Sequence, residues 1–380
     1  MWQWIPDYQF VGESHMKVLT VVGSPGQRLT TQPILGALRT DHETVLVRAG
    51  RRDDGCDPLG TALAEPDPSV RLGTSGADRA GRTATLLREL DDVVARESPD
   101  VVLVAGDTSA TLAGALVGAK RDAVVAHVEG GLRHRDRDGS GELDRVLADH
   151  CSGLLFVPSE RARARLATAG ITEGVNEVGD VACDSLLAVR DRARNRSTTL
   201  DETDHEPDSF LLATVHRQRS VQGGRLESLR SVLADAPLPV VVPTHPRTGS
   251  RFDRRLGTGA LPDGVDLVDT ETYLDYVRLV DAAERVVTDA ARVQKEAFYL
   301  DTPCLTLCET TPWIETVEAG WNVLVGTRPD AISRNLRRSF RRSERPRPYG
   351  GGNAAERIVD RLESAVATAG ADEQVGSAVP

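Results

Sequence analysis

Lysine is nearly missing from this chain. Lysine and arginine together number 46 in 380 residues, and only Lys17, Lys120 and Lys295 are lysine. Acidic residues number 57, so the net charge is −11. A broad basic face for phosphate-backbone contacts is lacking, which argues against a nucleic-acid partner. Aromatics make up 4%. No apolar run approaches the length of a bilayer span, which argues against a membrane partner. The five cysteines (Cys56, Cys151, Cys183, Cys304, Cys308) are odd in number and lack CxxC spacing. They read as reduced, buried thiols of a cytoplasmic protein, not as a disulfide framework or a zinc site.

What the chain does have is a strand–helix–strand rhythm. Val101–Val104 ends in Ala105-Gly106-Asp107-Thr108, and Val124–His127 ends in Val128-Glu129-Gly130-Gly131-Leu132-Arg133. A helical stretch lies between them. Each β-branched run stops at a glycine and a carboxylate. In open parallel sheets the ligand crevice lies outside the carboxyl ends of the strands, so Asp107 and Glu129 are placed where chemistry occurs. The same alternation predicts strands at 18–22, 44–47, 153–157, 210–214, 240–242, 265–268, 286–288 and 304–307. It predicts helices at 31–38, 77–97, 108–120, 142–150, 159–169, 226–234, 273–283, 293–300, 332–341 and 354–366.

A chain of 380 residues exceeds one ordinary core, so two domains are expected. The fold class expected is α/β: two Rossmann-like doubly wound domains facing a cleft in a glycosyltransferase-B-like arrangement. Residues 16–188 form the first domain, 189–208 a polar linker, and 209–352 the second domain. Residues 353–368 form a final helix packing across the domains, and 369–380 a flexible tail. Residues 1–15, with Trp2, Trp4, Tyr8 and Phe10, read as a leader or a misassigned start, with Met16 as the candidate first residue. They lack the basic start and apolar core of a signal peptide.

The ordered set Gly106-Asp107-Thr108, His127-Val128-Glu129-Gly130-Gly131-Leu132-Arg133, Thr214-Val215-His216-Arg217, His245-Pro246, Thr288-Asp289 with Val293-Gln294-Lys295-Glu296-Ala297, Glu315–Gly320 and Pro348-Tyr349-Gly350 resembles the UDP-N-acetylglucosamine 2-epimerase family of the non-hydrolysing type. The likeness spans nearly all of 17–362. It implies a UDP-sugar in the interdomain cleft and inversion at C2 by elimination and re-addition of UDP through a 2-acetamidoglucal. It also implies a homodimer, an isomerase activity that demands no nicotinamide or metal, and a role in surface polysaccharide or glycan precursor synthesis. Such chemistry needs carboxylates for proton transfer and positive charge or backbone donors for the departing diphosphate.

On that resemblance Asp107, Glu129, Glu142 and His216 are the catalytic candidates. Arg133, Arg217, His245, Ala290, Ala291, Arg292 and Glu296 are the substrate-binding candidates, with Glu296 on the ribose hydroxyls and His216 and Arg292 at the diphosphate. Bland readings stand beside these. Asp107 could cap the helix after it, Glu142 could be an ordinary first-turn acid, and Glu296 a surface glutamate. Glu142 falls on the second glutamate of the family's Pro-Glu-Glu-x-Asn-Arg run. Gly141 falls on the first, the one usually given a catalytic role.

The pattern breaks in three places. The family's Gly-Thr-Arg-Pro-Glu-x-x-Lys loop has Pro25 for the arginine, Gln27 for the glutamate and Thr30 for the lysine. The phosphate cradle Asp-Ser-Gly-Gly-x-Gln-Glu-Glu is here Asp289-Ala290-Ala291-Arg292-Val293-Gln294-Lys295-Glu296. It loses a hydroxyl and the glycines that allow close backbone approach, and keeps a helix N-terminus. Arg292 could replace the lost loop arginine or block the pocket. Third, Gly50-Arg51-Arg52-Asp53 replaces Gly-Gln-His-Arg, and Trp313 stands where the family has an arginine. The alternatives left open are a member that binds a nucleotide or partner without turnover, a hydrolysing epimerase, and a glycosyltransferase on the same fold.

Overall fold

The computed structural model describes residues 15–50, 67–74, 78–133, 140–215, 225–244, 262–270, 272–340 and 344–376. The first half runs β1 (Lys17–Val22), α1 (Pro25–Leu38), β2 (Glu43–Gly50), β3 (Val70–Gly73), α2 (Arg79–Glu97), β4 (Val101–Ala105), α3 (Ser109–Lys120), β5 (Val124–Val128), α4 (Ser140–Cys151), β6 (Leu154–Val157), α5 (Glu160–Thr168) and β7 (Val175–Glu177). Helix α6 (Val181–Arg196) leads into the second half. There follow β8 (Leu211–Thr214), α7 (Arg225–Ala234), β9 (Val240–Thr244), β10 (Val265–Asp269), α8 (Tyr273–Ala282), β11 (Arg285–Thr288), α9 (Ala291–Tyr299), β12 (Cys304–Thr306), α10 (Ile314–Glu318), β13 (Asn322–Leu324), α11 (Pro329–Leu336) and α12 (Ala354–Gly376).

The two sheets repeat one plan. The first has the order β3-β2-β1-β4-β5-β6-β7 and the second β10-β9-β8-β11-β12-β13. Neighbouring strands are parallel, for example Val18 beside Val101 and Val286 beside Cys304. Chain order reverses at β1/β4 in the first sheet and at β8/β11 in the second, which opens a crevice at the carboxyl ends there. Helices cover both faces, so central strands such as Val101–Ala105 are buried along their whole length. That is why they read as unbroken apolar runs. The two doubly wound domains face each other in a glycosyltransferase-B-like arrangement, as expected.

Four expectations are corrected. Residues 189–196, assigned to the linker, are the last two turns of α6. Their arginines masked a helix whose other face buries Val189 and Ala193. Helix α1 begins at Pro25, six residues before the expected start. Ser24, Pro25 and Gln27 look like a loop but occupy N-cap, N1 and N3 of a capping box. Residues 369–376, expected to be tail, continue α12. Strands β3, β7 and β13 were not anticipated. They are sheet edges of three or four residues and only partly buried, too short and too mixed to show a period.

Helix α12 returns to the first domain. Ala354, Ala355, Ile358 and Leu362 pack with Met16, Val18, Ile34 and Leu38. Each large apolar side chain so buried contributes about 1.5–3 kcal/mol. The chain thus crosses between domains at α6 and again before α12.

Candidate active site

The turn after β4 is held from three directions. Gln27 Nε2 donates to the Ala105 carbonyl at 2.6 Å and to Thr111 Oγ1 at 3.1 Å, while its Oε1 accepts from the Gly23 amide at 2.6 Å. Only an amide does both, since an ionised glutamate has no proton to give Ala105. His127, buried on β5, places Nε2 2.9 Å from the Gly106 carbonyl and Nδ1 2.9 Å from Asp149. Gly106 itself has φ +69° and its amide donates to Val128. The helix cap is Thr108, whose hydroxyl accepts from Thr111. Asp107 is therefore not spent on capping. Its carboxylate pairs with Arg145 Nη2 of α4 at 2.9 Å and remains 38% exposed.

Glu129 follows β5 with φ +65°, a left-handed conformation that costs a residue with a Cβ about 1–2 kcal/mol. Such a strained residue persists when its surroundings hold it. Lys295 Nζ of α9 lies 3.4 Å from Glu129 Oε1 and 2.7 Å from Asp180 Oδ2. It also sits 4.3 Å from the centroid of the Trp313 ring. Burial alone would lower the lysine's pKa; the Asp180 and Glu129 carboxylates outweigh it and raise the value.

On the facing side, Glu296 Oε1 accepts from the Tyr273 hydroxyl at 2.7 Å, and Oε2 from that of Tyr276 at 3.0 Å. Arg292 Nε is 3.4 Å from Glu296 Oε1. Burial and the Glu296 charge push both tyrosines well above their ordinary pKa. The Glu296 charge beside Arg292 raises that of the guanidinium.

These groups meet in one cavity of about 220 Å³ between the domains. Asp107, Glu129 and Thr30 line it from the first domain; Ala291, Arg292, Lys295 and Glu296 line it from α9. The acids of the front half and the helix terminus of the back half share one gap. Arg292 borders this space with its side chain 47% exposed.

Other candidates fall elsewhere. Glu142 lies in the first turn of α4, 3.8 Å from Arg133 Nε. Arg133 in turn bonds Asp149 at 2.7 Å and the Leu132 carbonyl at 2.9 Å. Neither lines the cavity. Asp149 ties Arg133 to the turn after β5, since it also accepts from the Gly131 amide. Ala290 is the N-cap position of α9, its amide bonded to Thr288 Oγ1 at 3.0 Å. His216, Arg217 and His245, and the Arg51–Asp53 departure, lie outside the described residues. Sequence reasoning missed Lys295 and Arg145. The signal for Lys295 was present: a rare lysine where the resembled pattern has a glutamate. Arg145 falls on the arginine of the Pro-Glu-Glu-x-Asn-Arg run, but its pairing had no local signal, because its partner is 38 residues away in the chain.

The family model described as UDP-N-acetylglucosamine 2-epimerase matches residues 41–363. The chain belongs to the UDP-N-acetylglucosamine 2-epimerase family. A UDP-N-acetylglucosamine 2-epimerase homolog of Methanococcus maripaludis is 35% identical over 356 residues, covering 92% of this chain and all of the relative. The UDP-2,3-diacetamido-2,3-dideoxy-D-glucuronate 2-epimerase of Pseudomonas aeruginosa is 34% identical, over 91% of this chain and 99% of its own. Among solved structures, the Methanocaldococcus jannaschii UDP-GlcNAc 2-epimerase in complex with UDP-GlcNAc and UDP superposes with a TM-score of 0.79. It is 30% identical over 91% of this chain and 99% of that one. In the present chain both strand-end acids and the α9 glutamate line the interdomain cavity.

Proposed function

We propose that this protein is a UDP-N-acetylglucosamine 2-epimerase that interconverts the gluco and manno sugars by elimination and re-addition of UDP. The carrying observation is the cavity in which Asp107 and Glu129 face the N-terminus of α9. The C2–H proton passes to one carboxylate as that bond's electrons form the C1–C2 double bond. In the same step the C1–O bond breaks, its electron pair leaving on the β-phosphate oxygen of UDP. Re-protonation of C2 on the opposite face, with re-addition of UDP at C1, completes the inversion. Asp107 and Glu129 share the proton transfers, each held beside a buried cation, Arg145 or Lys295.

In this reading Arg292 and the first-turn amides of α9 receive the diphosphate, a use of a helix N-terminus with an added cation. Glu296 then accepts from the ribose hydroxyls. His216 and Arg217 would complete the diphosphate end. The product serves as a precursor for surface polysaccharide in the cytoplasm. The enzyme works as a homodimer, a state supported by Leu143 and Leu147, 62% and 40% exposed one turn apart on α4. The test is an NMR time course with UDP-N-acetylglucosamine in D₂O. The manno epimer and deuterium at C2 are expected. Free sugar accumulating instead indicates a hydrolysing enzyme.

Two observations favour a second reading, a nucleotide-binding member without turnover. Position 141, where the family's first helix glutamate falls, is glycine, and the cation at Arg292 is already paired with Glu296. UDP binding by calorimetry with no C2 exchange would select that reading.

A further inference from the structure

The counter-charge of Glu129 comes from the opposite domain. The loop-one lysine of the resembled pattern is Thr30 here, and its hydroxyl reaches Glu129 Oε1 only at 3.5 Å. Lys295 of α9 instead delivers an ammonium to the same oxygen at 3.4 Å. The sign at position 295 is opposite to the pattern's glutamate. A cation has therefore moved from the α1 side of the cleft to the α9 side.

Its seat is built. The lysine side chain is only 5% exposed. Asp180 Oδ2 holds the ammonium at 2.7 Å, and the Trp313 face lies 4.3 Å beneath it. Asp180 is fixed in turn by the Ala182 amide on Oδ1 at 2.9 Å and the Tyr299 hydroxyl on Oδ2 at 2.6 Å. Glu129, by contrast, stands in a left-handed backbone conformation and needs an outside hold to keep one orientation.

We propose that Lys295 is a positioning residue for the 2-epimerase reaction: it holds the Glu129 carboxylate across the domain boundary, so that this acid is aligned only when the two domains are together. The inference rests on the role given to Glu129 above. A misplacement of about 1 Å at such a group can cost on the order of 10²-fold in rate.

The experiment compares wild type with Lys295→Met, Lys295→Arg and Lys295→Met/Thr30→Lys. For Lys295→Met, kcat is expected to fall at least about tenfold with KM within about threefold, since the ammonium is engaged by the Glu129 and Asp180 carboxylates. Lys295→Arg should recover most of the loss. Returning a cation to loop one in Lys295→Met/Thr30→Lys should recover part of it, and this variant also serves if Lys295→Met alone does not fold. Adding Lys295→Met to Glu129→Gln should cost little more than Glu129→Gln alone. An unchanged kcat, a loss confined to KM, multiplying losses in the double variant, or no rescue by either cation overturns the proposal.

A second readout does not depend on turnover. The Gly130 and Gly131 amides, bonded to the Phe156 carbonyl and to Asp149, should exchange hydrogen at least about tenfold faster in Lys295→Met. Unchanged exchange overturns the positioning role. If wild type shows no C2 exchange at all, the epimerase reading fails, and Lys295 is judged on amide exchange alone.

Discussion

Arg292 and Glu296 pair one turn apart on α9, Nε to Oε1 at 3.4 Å, and both border the interdomain cavity. A helix pair at this spacing on an exposed surface is worth a few tenths of a kcal/mol. Here the Tyr273 and Tyr276 hydroxyls converge on the same carboxylate. Binding of a nucleoside diphosphate calls on both members: the guanidinium for phosphate and the carboxylate for ribose. Arg292→Ala should weaken UDP binding by about tenfold, equivalent to about 1.4 kcal/mol, as measured by calorimetry. Tighter UDP binding in Arg292→Ala would instead mean that the side chain obstructs the pocket.

The placement of the acids ranks them. Asp107→Asn and Glu129→Gln should each lower kcat by about 10²- to 10⁴-fold, the range for a lost general acid or base. Glu142→Gln should cost less than about threefold, because Glu142 faces Arg133 and does not line the cavity. C2 deuterium exchange measured on the three variants checks the ranking. Equal losses would mean that Glu142 reaches the substrate.

Most of the doubly wound plan was legible because the buried parallel strands are short apolar runs, two of them ended by glycine and acid, as at Val101–Asp107 and Val124–Glu129. What escaped was set by contacts distant in sequence. The arginine-rich end of α6 looks like linker until Val189 and Ala193 are seen buried. Ser24-Pro25-Gly26-Gln27 looks like a loop, yet its glutamine caps a helix and pins the Ala105 carbonyl across 78 residues. The acids of the site could be read at strand ends. Their pairing with Arg145 and Lys295 could not, since both cations arrive from helices whose approach depends on the tertiary fold.

Asp184 on α6 makes stability depend on pH. Burial pushes its carboxyl up to about 6, against the Ala355 amide that donates to Oδ2 at 2.8 Å; the neighbouring Asp180 charge adds to the rise. An acid with a raised folded-state value stabilises the fold below its unfolded value, near 4, and that contribution is lost as pH rises through about 6. Asp184→Asn removes the titration and can still accept from Ala355. The Tm of the variant relative to wild type should therefore improve between pH 4 and pH 8. A difference that is flat with pH would show that Asp184 does not titrate in this window.

Leu143 and Leu147 form an apolar stripe on the outer side of α4, where an isolated exposed leucine would carry no meaning but two at i and i+4 do. If this stripe is the dimer contact, Leu143→Asp/Leu147→Asp should sediment as a monomer at micromolar concentration. Its far-UV circular dichroism should match wild type, because both side chains are outside the core. A dimer that survives both substitutions places the contact elsewhere.

Gly141 stands where a Cβ would meet Asp107 Cγ at 2.7 Å and the Asp107 carbonyl oxygen at 2.8 Å. One of those atoms belongs to the backbone, so a larger residue cannot be admitted by a rotamer change alone. Asp107 must move, and its 2.9 Å pair with Arg145 must stretch or break with it. Gly141→Ala should therefore lower kcat at least about tenfold while UDP affinity, which depends on α9, stays within about threefold. Glycine to alanine is favourable inside a helix by up to about 1 kcal/mol, so the fold should survive and Tm should change by only a few degrees. Full activity in Gly141→Ala would mean that the α4 start can withdraw from Asp107 at no cost. The close packing between Gly141 and Asp107 would then have no part in orienting the acid.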